Sequence, residues 1–328
     1  MVIVPQHDES KMPITLGSPL RVPKCAWKSW GISWSGEVEL RELIKASEDA
    51  YRAEWDIGAG RHDVVAQASV NAGFGNNNQY LREAAAQYIN WNITRYNDNV
   101  NILDVGAGAG DSALVTFDGF DPNDKDRASF TLLDPSGENL EKAGERMRER
   151  GARYQLVHAT DLEIPRYLGD GSQHIVMGVA SIHHHAGIPW HIYRDVLVKG
   201  GLFVSADWHN GVWMHPAKVY KMLQELDCSQ DGLGNFAQTY PSATQEIELT
   251  QADLDIIAFW KGYKDLLEER GELGQNAIWP LEGHRPAERY VRDMKYCGLI
   301  VPERYPHRVT QRDSDLLMLT PAYKKEVA

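Results

Sequence analysis

Residues 101–111, NILDVGAGAGD, decide the fold. Ile102, Leu103 and Val105 suit a buried parallel strand, and Gly106, Gly108 and Gly110 let the chain turn sharply and bring its backbone against a ligand. A side chain in that turn would occupy the ligand's space. Ser112 to Val115 then open a helix whose free N–H groups favour electron-rich ligand atoms. A second apolar run, Phe130 to Leu133, ends in Asp134, whose carboxylate can accept from both hydroxyls of a ribose. A glycine turn followed by an acid at the end of the next strand reads as a nucleoside-cofactor pocket.

Two cofactors use such a pocket, and the spacing separates them. A dinucleotide fingerprint requires G-x-G-x-x-G. Here the third glycine arrives one residue early, at Gly110, and Asp111 stands where that pattern wants glycine. The run D-V-G-A-G-A-G resembles motif I of the class I S-adenosylmethionine-dependent methyltransferases, with Asp104 matching the acid that closes their first strand. The resemblance implies an α/β fold: a Rossmann-like, seven-stranded, mostly parallel sheet with helices on both faces. It also assigns cofactor contacts. Asp104, Gly106, Ala107, Gly108 and Gly110 form the first turn, and Asp134 with Pro135 takes the ribose. His158-Ala159-Thr160-Asp161 is similar to the family's segment after strand three, whose carboxylate commonly meets the adenine amino group, so Asp161 and Leu162 carry over. Ile175 to Ala180 resembles strand four, which brings Ala180 to the same set.

Further segments resemble the family in the expected order. Ser181-Ile182-His183-His184 is similar to its frequent "LHH" segment beside the methyl donor. Val196 to Gly201 followed by Leu202 to Ser205 resembles the "L-K-P-G-G" turn into strand five, with Val198-Lys199 in place of Lys-Pro. Arg285 to Cys297 reads as a helix, Leu299 to Val301 as strand six and Asp315 to Thr320 as an antiparallel strand seven. The resemblance covers roughly the middle third and the last tenth of the chain. It does not reach the first hundred residues or the segment from about Trp208 to Gly283. Its implied domains are an N-terminal arm and helical lid (1–99), a cofactor-binding core (100–207 and 284–328) and a helical insertion capping the substrate (208–283).

The uncovered parts have patterns of their own. Residues 1 to about 36 are rich in Pro, Gly, Ser and Trp without periodicity and read as an arm or loop. Residues 37–57 place Leu40, Leu43, Ile44, Tyr51 and Trp55 on one helical face. A second helix spans about Asn78 to Arg95, with Tyr80, Leu81, Ala84, Ala85, Tyr88 and Ile89 on its apolar side. In the insertion, Pro216 to Asp227 and Thr250 to Leu267 are helical, Asp253 and Asp255 fall in the first turn of the latter, and a polar loop separates them. Two such helices would stand over the carboxyl ends of the strands, where open α/β sheets bind ligands.

Composition narrows the partners. The chain of 328 residues has 43% hydrophobic residues and a formal net charge of −12. Nucleic-acid binding draws on Lys and Arg neutralising phosphates, so the acidic excess disfavours RNA or DNA. Arg146, Arg148, Arg150 and Arg153 are interspersed with Glu145 and Glu149 and read as a solvated helix face. No apolar run approaches the roughly 20 residues that span a bilayer. The first residues, with an early proline and acid, do not resemble a secretory signal, and a cytoplasmic enzyme without a membrane partner is expected. Cys25, Cys228 and Cys297 are too widely spaced for a disulfide framework or a cysteine zinc site.

The expected activity is methyl transfer from S-adenosylmethionine to an O, N or C atom of a small metabolite, leaving S-adenosylhomocysteine. Such a reaction asks the protein mainly for alignment, and a base helps when the nucleophile begins protonated. Histidine suits that task. The candidates are His184, then His183, then His209, at the ends of strands four and five. The consecutive side chains of His183, His184 and His185 diverge, so no metal is expected. Asp207-Trp208-His209-Asn210 reads either as a pocket lining or as a polar turn, and Glu282-Gly283-His284-Arg285 as a helix-start network. Trp27, Trp30, Trp34, Trp208 and Trp213 read as core before an aromatic wall. The Ala180-Ser181-Ile182-His183 segment differs from the N/D-P-P-Y/F run of the family's amino-group methylases of nucleobases and protein glutamines, and from the Pro-Cys pair of its cytosine carbon enzymes. A small-molecule acceptor is the branch that fits. Two rivals stay open from sequence: another chemistry on this fold, such as a cofactor-assisted cyclisation or an NAD-dependent oxidoreductase, and a non-catalytic cofactor-binding subunit.

Overall fold

The strands are apolar on both faces because each feeds two cores. In β1 (Val100–Val105) Ile102 points into one apolar layer, while Leu103 and Val105 point into the other. The same alternation runs through β2 (Ala128–Asp134), β4 (Gln173–Val179) and β5 (Leu197–Trp208), as expected for parallel strands covered on both sides. The structure, a computed structural model, describes residues 71, 77–184, 188–208, 216–239, 241–269, 271, 287–308 and 317–325.

The sheet order is β3-β2-β1-β4-β5-β8-β6. β3 (Arg153–His158), β2, β1, β4 and β5 are parallel, and β8 (Leu317–Lys324) runs antiparallel between β5 and the short β6 (Leu299–Ile300). The sixth strand lies where the sequence predicts it, and a further short strand that was not expected, β7 (His307–Arg308), pairs with the same edge of β8, opposite Leu319 and Met318. This is the Rossmann-like sheet with a reversed last strand that the sequence predicts. Its switch point lies between β1 and β4, where successive connections leave in opposite directions.

One layer holds α1 (Asn77–Ile93), α2 (Asp111–Asp118) and α4 (Gly137–Glu149), with α3 (Pro122–Arg127) leading into β2. The other holds the short α5 (Ile164–Tyr167), α6 (Trp190–Val196) and α10 (Ala287–Tyr296). Helix α1 packs on α2, β4, β5 and β8, with Leu81, Ala85, Tyr88, Ile89 and Ile93 buried, so by its contacts it is part of the core layer. Tyr80, expected on its apolar side, is 47% exposed, because the buried face centres on Ala85 and Ile89.

Among its described residues the insertion has three helices where two were expected: α7 (Pro216–Glu225), α8 (Gln230–Thr239) and α9 (Gln251–Glu269). Helix α8 occupies the stretch expected as a polar loop. Its glycines obscure the helical pattern, yet the buried Leu233 ties it to the core, and tertiary packing overrides weak propensity. The expected Gly-Gly turn before β5 is instead a bulge within the strand: the register to β4 shifts between Gln173 and Ile175, and Gly200 takes φ +70°. The helical face at 37–57, His185, His209, the Trp residues at 27, 30, 34 and 213, and the segment 282–285 lie outside the described residues. Among the described residues no helix is long and apolar enough to cross a membrane.

If α1 is part of the core, truncating one of its fully buried side chains must destabilise the whole sheet. Ile89→Ala is expected to lower unfolding free energy by about 2–5 kcal/mol in urea denaturation, with a single cooperative transition retained.

Candidate functional site

The turn after β1 and the turn after β4 meet at the switch point. Gly106 has φ +66°, and a Cβ there would stand 2.6 Å from Ser181 Cβ. Ser181 donates from Oγ to the Val105 carbonyl at 2.7 Å, which ties the second turn to the end of β1. Gly110 caps α2 in the left-handed conformation (φ 82°), where a Cβ would press on Ala143 at 3.0 Å. Gly108 differs: it too has positive φ (+52°), but nothing lies within 4 Å of its Cβ position. The turn is therefore closed against protein at both ends and open at its middle.

Asp134 ends β2 and is 1% exposed. Its Oδ2 accepts from the Gly108 N–H at 2.7 Å and its Oδ1 from the Ser136 N–H at 2.8 Å. The expected ribose acid is thus fixed by the backbone of the glycine turn. Pro135 follows it, and the Pro135 carbonyl meets His158 Nε2 at 2.8 Å. Asp161 lies in a short 3₁₀ turn (Asp161–Glu163) that opens with a capping box, Thr160 and Glu163 each satisfying the other's backbone. Its carboxylate accepts from the Tyr193 hydroxyl, and Leu162 beside it is partly buried. Ala180, at the end of β4, has φ 52° and donates its N–H to the Ala206 carbonyl at 2.8 Å.

Asp104 lies near the end of β1. It is 1% exposed, and its Oδ2 has no hydrogen-bond partner. Burial first, and the Asp134 charge second, hold its pKa well above the usual carboxylate range, against the opposing pull of Arg82 and the Ala113 N–H. Arg146, expected on a solvated face, reaches instead from α4 to the turn: its Nη1 donates to the Ala109 carbonyl at 2.7 Å and to Asp111 Oδ1 at 2.6 Å. A charged helix face and a charged clamp have the same sequence pattern, and only the approach of α4 to the turn distinguishes them.

Of the expected histidines, His183 is placed with a partner that sequence reading did not pair with it. Asp207, near the end of β5, accepts His183 Nδ1–H through Oδ1 at 2.6 Å and the His183 backbone N–H through Oδ2 at 3.0 Å. The Trp208 N–H also reaches Oδ1, at 2.8 Å. Both residues are buried. A carboxylate on Nδ1 fixes the neutral ring with its basic lone pair on Nε2. His184 lies in the same short 3₁₀ turn (Ile182–His184). Trp208, which the sequence left between core and wall, is half-buried, donates Nε1–H to Asn78 Oδ1 at 3.1 Å and tilts against Phe259. Among the described residues no cluster of three or more His, Cys, Asp or Glu is placed to hold a metal ion.

No protein-family model matches the chain, and no curated protein matches it. Solved structures resemble it at low identity. The 1,6-didemethyltoxoflavin-N1-methyltransferase of Burkholderia thailandensis, solved with 1,6-didemethyltoxoflavin and S-adenosylhomocysteine, is 10% identical over 90% of this chain and 94% of its own, with a TM-score of 0.47. A SAM-dependent methyltransferase from Aquifex aeolicus is 12% identical over 73% of this chain and 89% of its own, with a TM-score of 0.42. The CurJ carbon methyltransferase is 13% identical over 70% of this chain, with a TM-score of 0.42, and this chain covers 49% of its length. At these values the likenesses carry no argument about chemistry, which rests on the residues themselves.

Two outcomes follow from the geometry. Asp104 holds its proton more tightly folded than unfolded, so its contribution to stability is full below the unfolded pKa and is lost as pH rises through the elevated folded pKa. Asp104→Asn is therefore expected to exceed the wild type in urea midpoint at neutral pH, with the gap closing in mild acid. For His183, Asp207→Asn removes the carboxylate that selects the tautomer. Nitrogen-15 imidazole spectra should show one ring dominated by the Nδ1–H form in the wild type and a mixed form in the variant.

Proposed function

We propose that this chain is an S-adenosylmethionine-dependent methyltransferase acting on an O, N or C atom of a small metabolite. One observation carries the reading: two buried carboxylates, Asp104 and Asp134, stand together beside the glycine turn at the switch point. A dinucleotide would bring its pyrophosphate to this turn, where its fingerprint wants the glycine that Asp111 replaces. S-adenosylmethionine brings a sulfonium and an ammonium instead, and an ammonium supplies the donor that Asp104 Oδ2 lacks. The unfilled space over Gly108 admits a ligand against the backbone. The residues present fit this cofactor.

In this reading Asp134 and Pro135 hold the ribose, Asp161 and Leu162 the adenine, and the turn from Gly106 to Gly110 with Asp104 and Ala180 the amino-acid end. When bound, S-adenosylmethionine supplies a methyl group already activated by its sulfonium. The protein's part is to orient the acceptor and, where it begins protonated, to take its proton. His183 is the base of choice, since Asp207 fixes its tautomer and stabilises the imidazolium that proton uptake creates. The net charge of −12 favours a small acceptor over a nucleic acid.

Calorimetric titration with S-adenosylmethionine, S-adenosylhomocysteine and NAD tests the reading. The wild type is expected to bind the first two in the micromolar range and not NAD. Asp134→Asn should weaken that binding by about 10- to 100-fold, the loss of a charge-assisted hydrogen-bond pair. Binding of NAD alone, or of none of the three, would overturn it.

A further inference from the structure

Three ties meet at Trp208, the last residue of β5. Its backbone N–H donates to Asp207 Oδ1 at 2.8 Å, the same oxygen that accepts His183 Nδ1–H at 2.6 Å. Its indole Nε1–H donates at 3.1 Å to Oδ1 of Asn78, at the start of α1. Its ring lies 5.5 Å from that of Phe259 on α9, centroid to centroid. Phe259 is itself buried and meets Trp260 edge-on at 4.8 Å, and Trp260 meets Tyr263 in the same way at 5.6 Å. One residue therefore joins the carboxylate that orients His183 to a helix of the core layer and to the aromatic run of the insertion.

A hydrogen-bonded carboxylate turns only as far as its donors allow. Asp207 is 2% exposed, and its Oδ1 serves both the imidazole and the Trp208 amide, while Oδ2 takes the His183 amide at 3.0 Å. A shift of the Trp208 backbone must be followed by Oδ1 or must lengthen one of these bonds. The indole holds that backbone in two ways, by a hydrogen bond that sets the ring's direction and by packing that sets its depth. We propose that Trp208 is a positioning residue: it carries the placement of α9 to Asp207 and so sets the ring of His183. The inference rests on the reading of His183 as proton acceptor and adds that part of the base's orientation is supplied by the insertion. A methyl acceptor seated against α9 would then bear on the base through the indole.

Nitrogen-15 spectra of the His183 imidazole in the full chain test this, because they need neither cofactor nor acceptor. Phe259→Leu keeps apolar bulk but loses the ring, and Asn78→Ala cuts the indole hydrogen bond while leaving the core intact. Each is expected to raise the solvent exchange rate of the Nδ1 proton by about 2- to 10-fold, the worth of one hydrogen bond, and to admit a visible share of the Nε2–H tautomer. Leu233→Ala instead removes buried apolar bulk from α8, and is expected to lower stability while leaving the His183 signals in place. Unchanged His183 signals in both Phe259→Leu and Asn78→Ala overturn the proposal. So does an equal change in Leu233→Ala, which would mean that any loosening of the insertion reaches the ring. Failure of the methyl-transfer reading shows separately, as wild-type protein that binds neither S-adenosylmethionine nor S-adenosylhomocysteine.

Discussion

The turns after β1 and β4 approach until no side chain fits between them. Ser181 fills the space where a Gly106 Cβ would stand and bonds the carbonyl just before it, and a Cβ on Gly178 would lie 2.6 Å from Ile182 Cγ2. That tight crossing fixes the direction in which the chain leaves both strands. From it follow the open middle of the glycine turn, the backbone grip on Asp134 and the position of His183 over the end of β5. Side chains from β1, β2, β4 and β5 are gathered at one edge because this contact permits no other path.

The same edge concentrates negative charge that the fold does not fully satisfy. A buried carboxylate with an unpartnered oxygen costs stability, and burial raises the Asp104 pKa in answer. Around it the turn is clamped from two helices, by Arg82 of α1 and Arg146 of α4, both through Asp111.

The sheet, its parallel core and the glycine turn were legible because they rest on local signals: apolar runs of strand length, positive-φ glycines and acids at strand ends. Asp134 could be named for that reason, whereas Asp161 came only from the family resemblance. What was not legible depends on distant approach. Asp207 joins His183 across 24 residues of chain, and Arg146 meets the turn across 35; neither pattern marks a partner. Arg82 sits in a helix whose amphipathic face was visible, but its charge points off that face. Helix α8 was hidden by its own glycines, and the two-residue β7 by its brevity.

Asp161 is oriented from beneath. The Tyr193 hydroxyl that holds its carboxylate belongs to a ring stacked on Phe203, 5.3 Å between centroids and 11° between planes, and Trp190 meets both rings edge-on. The Asp161 carboxylate is therefore coupled to aromatic packing against β5. Heritable change in that packing would register in the direction of the Asp161 carboxylate as well as in stability, so the two evolve under the same pressures.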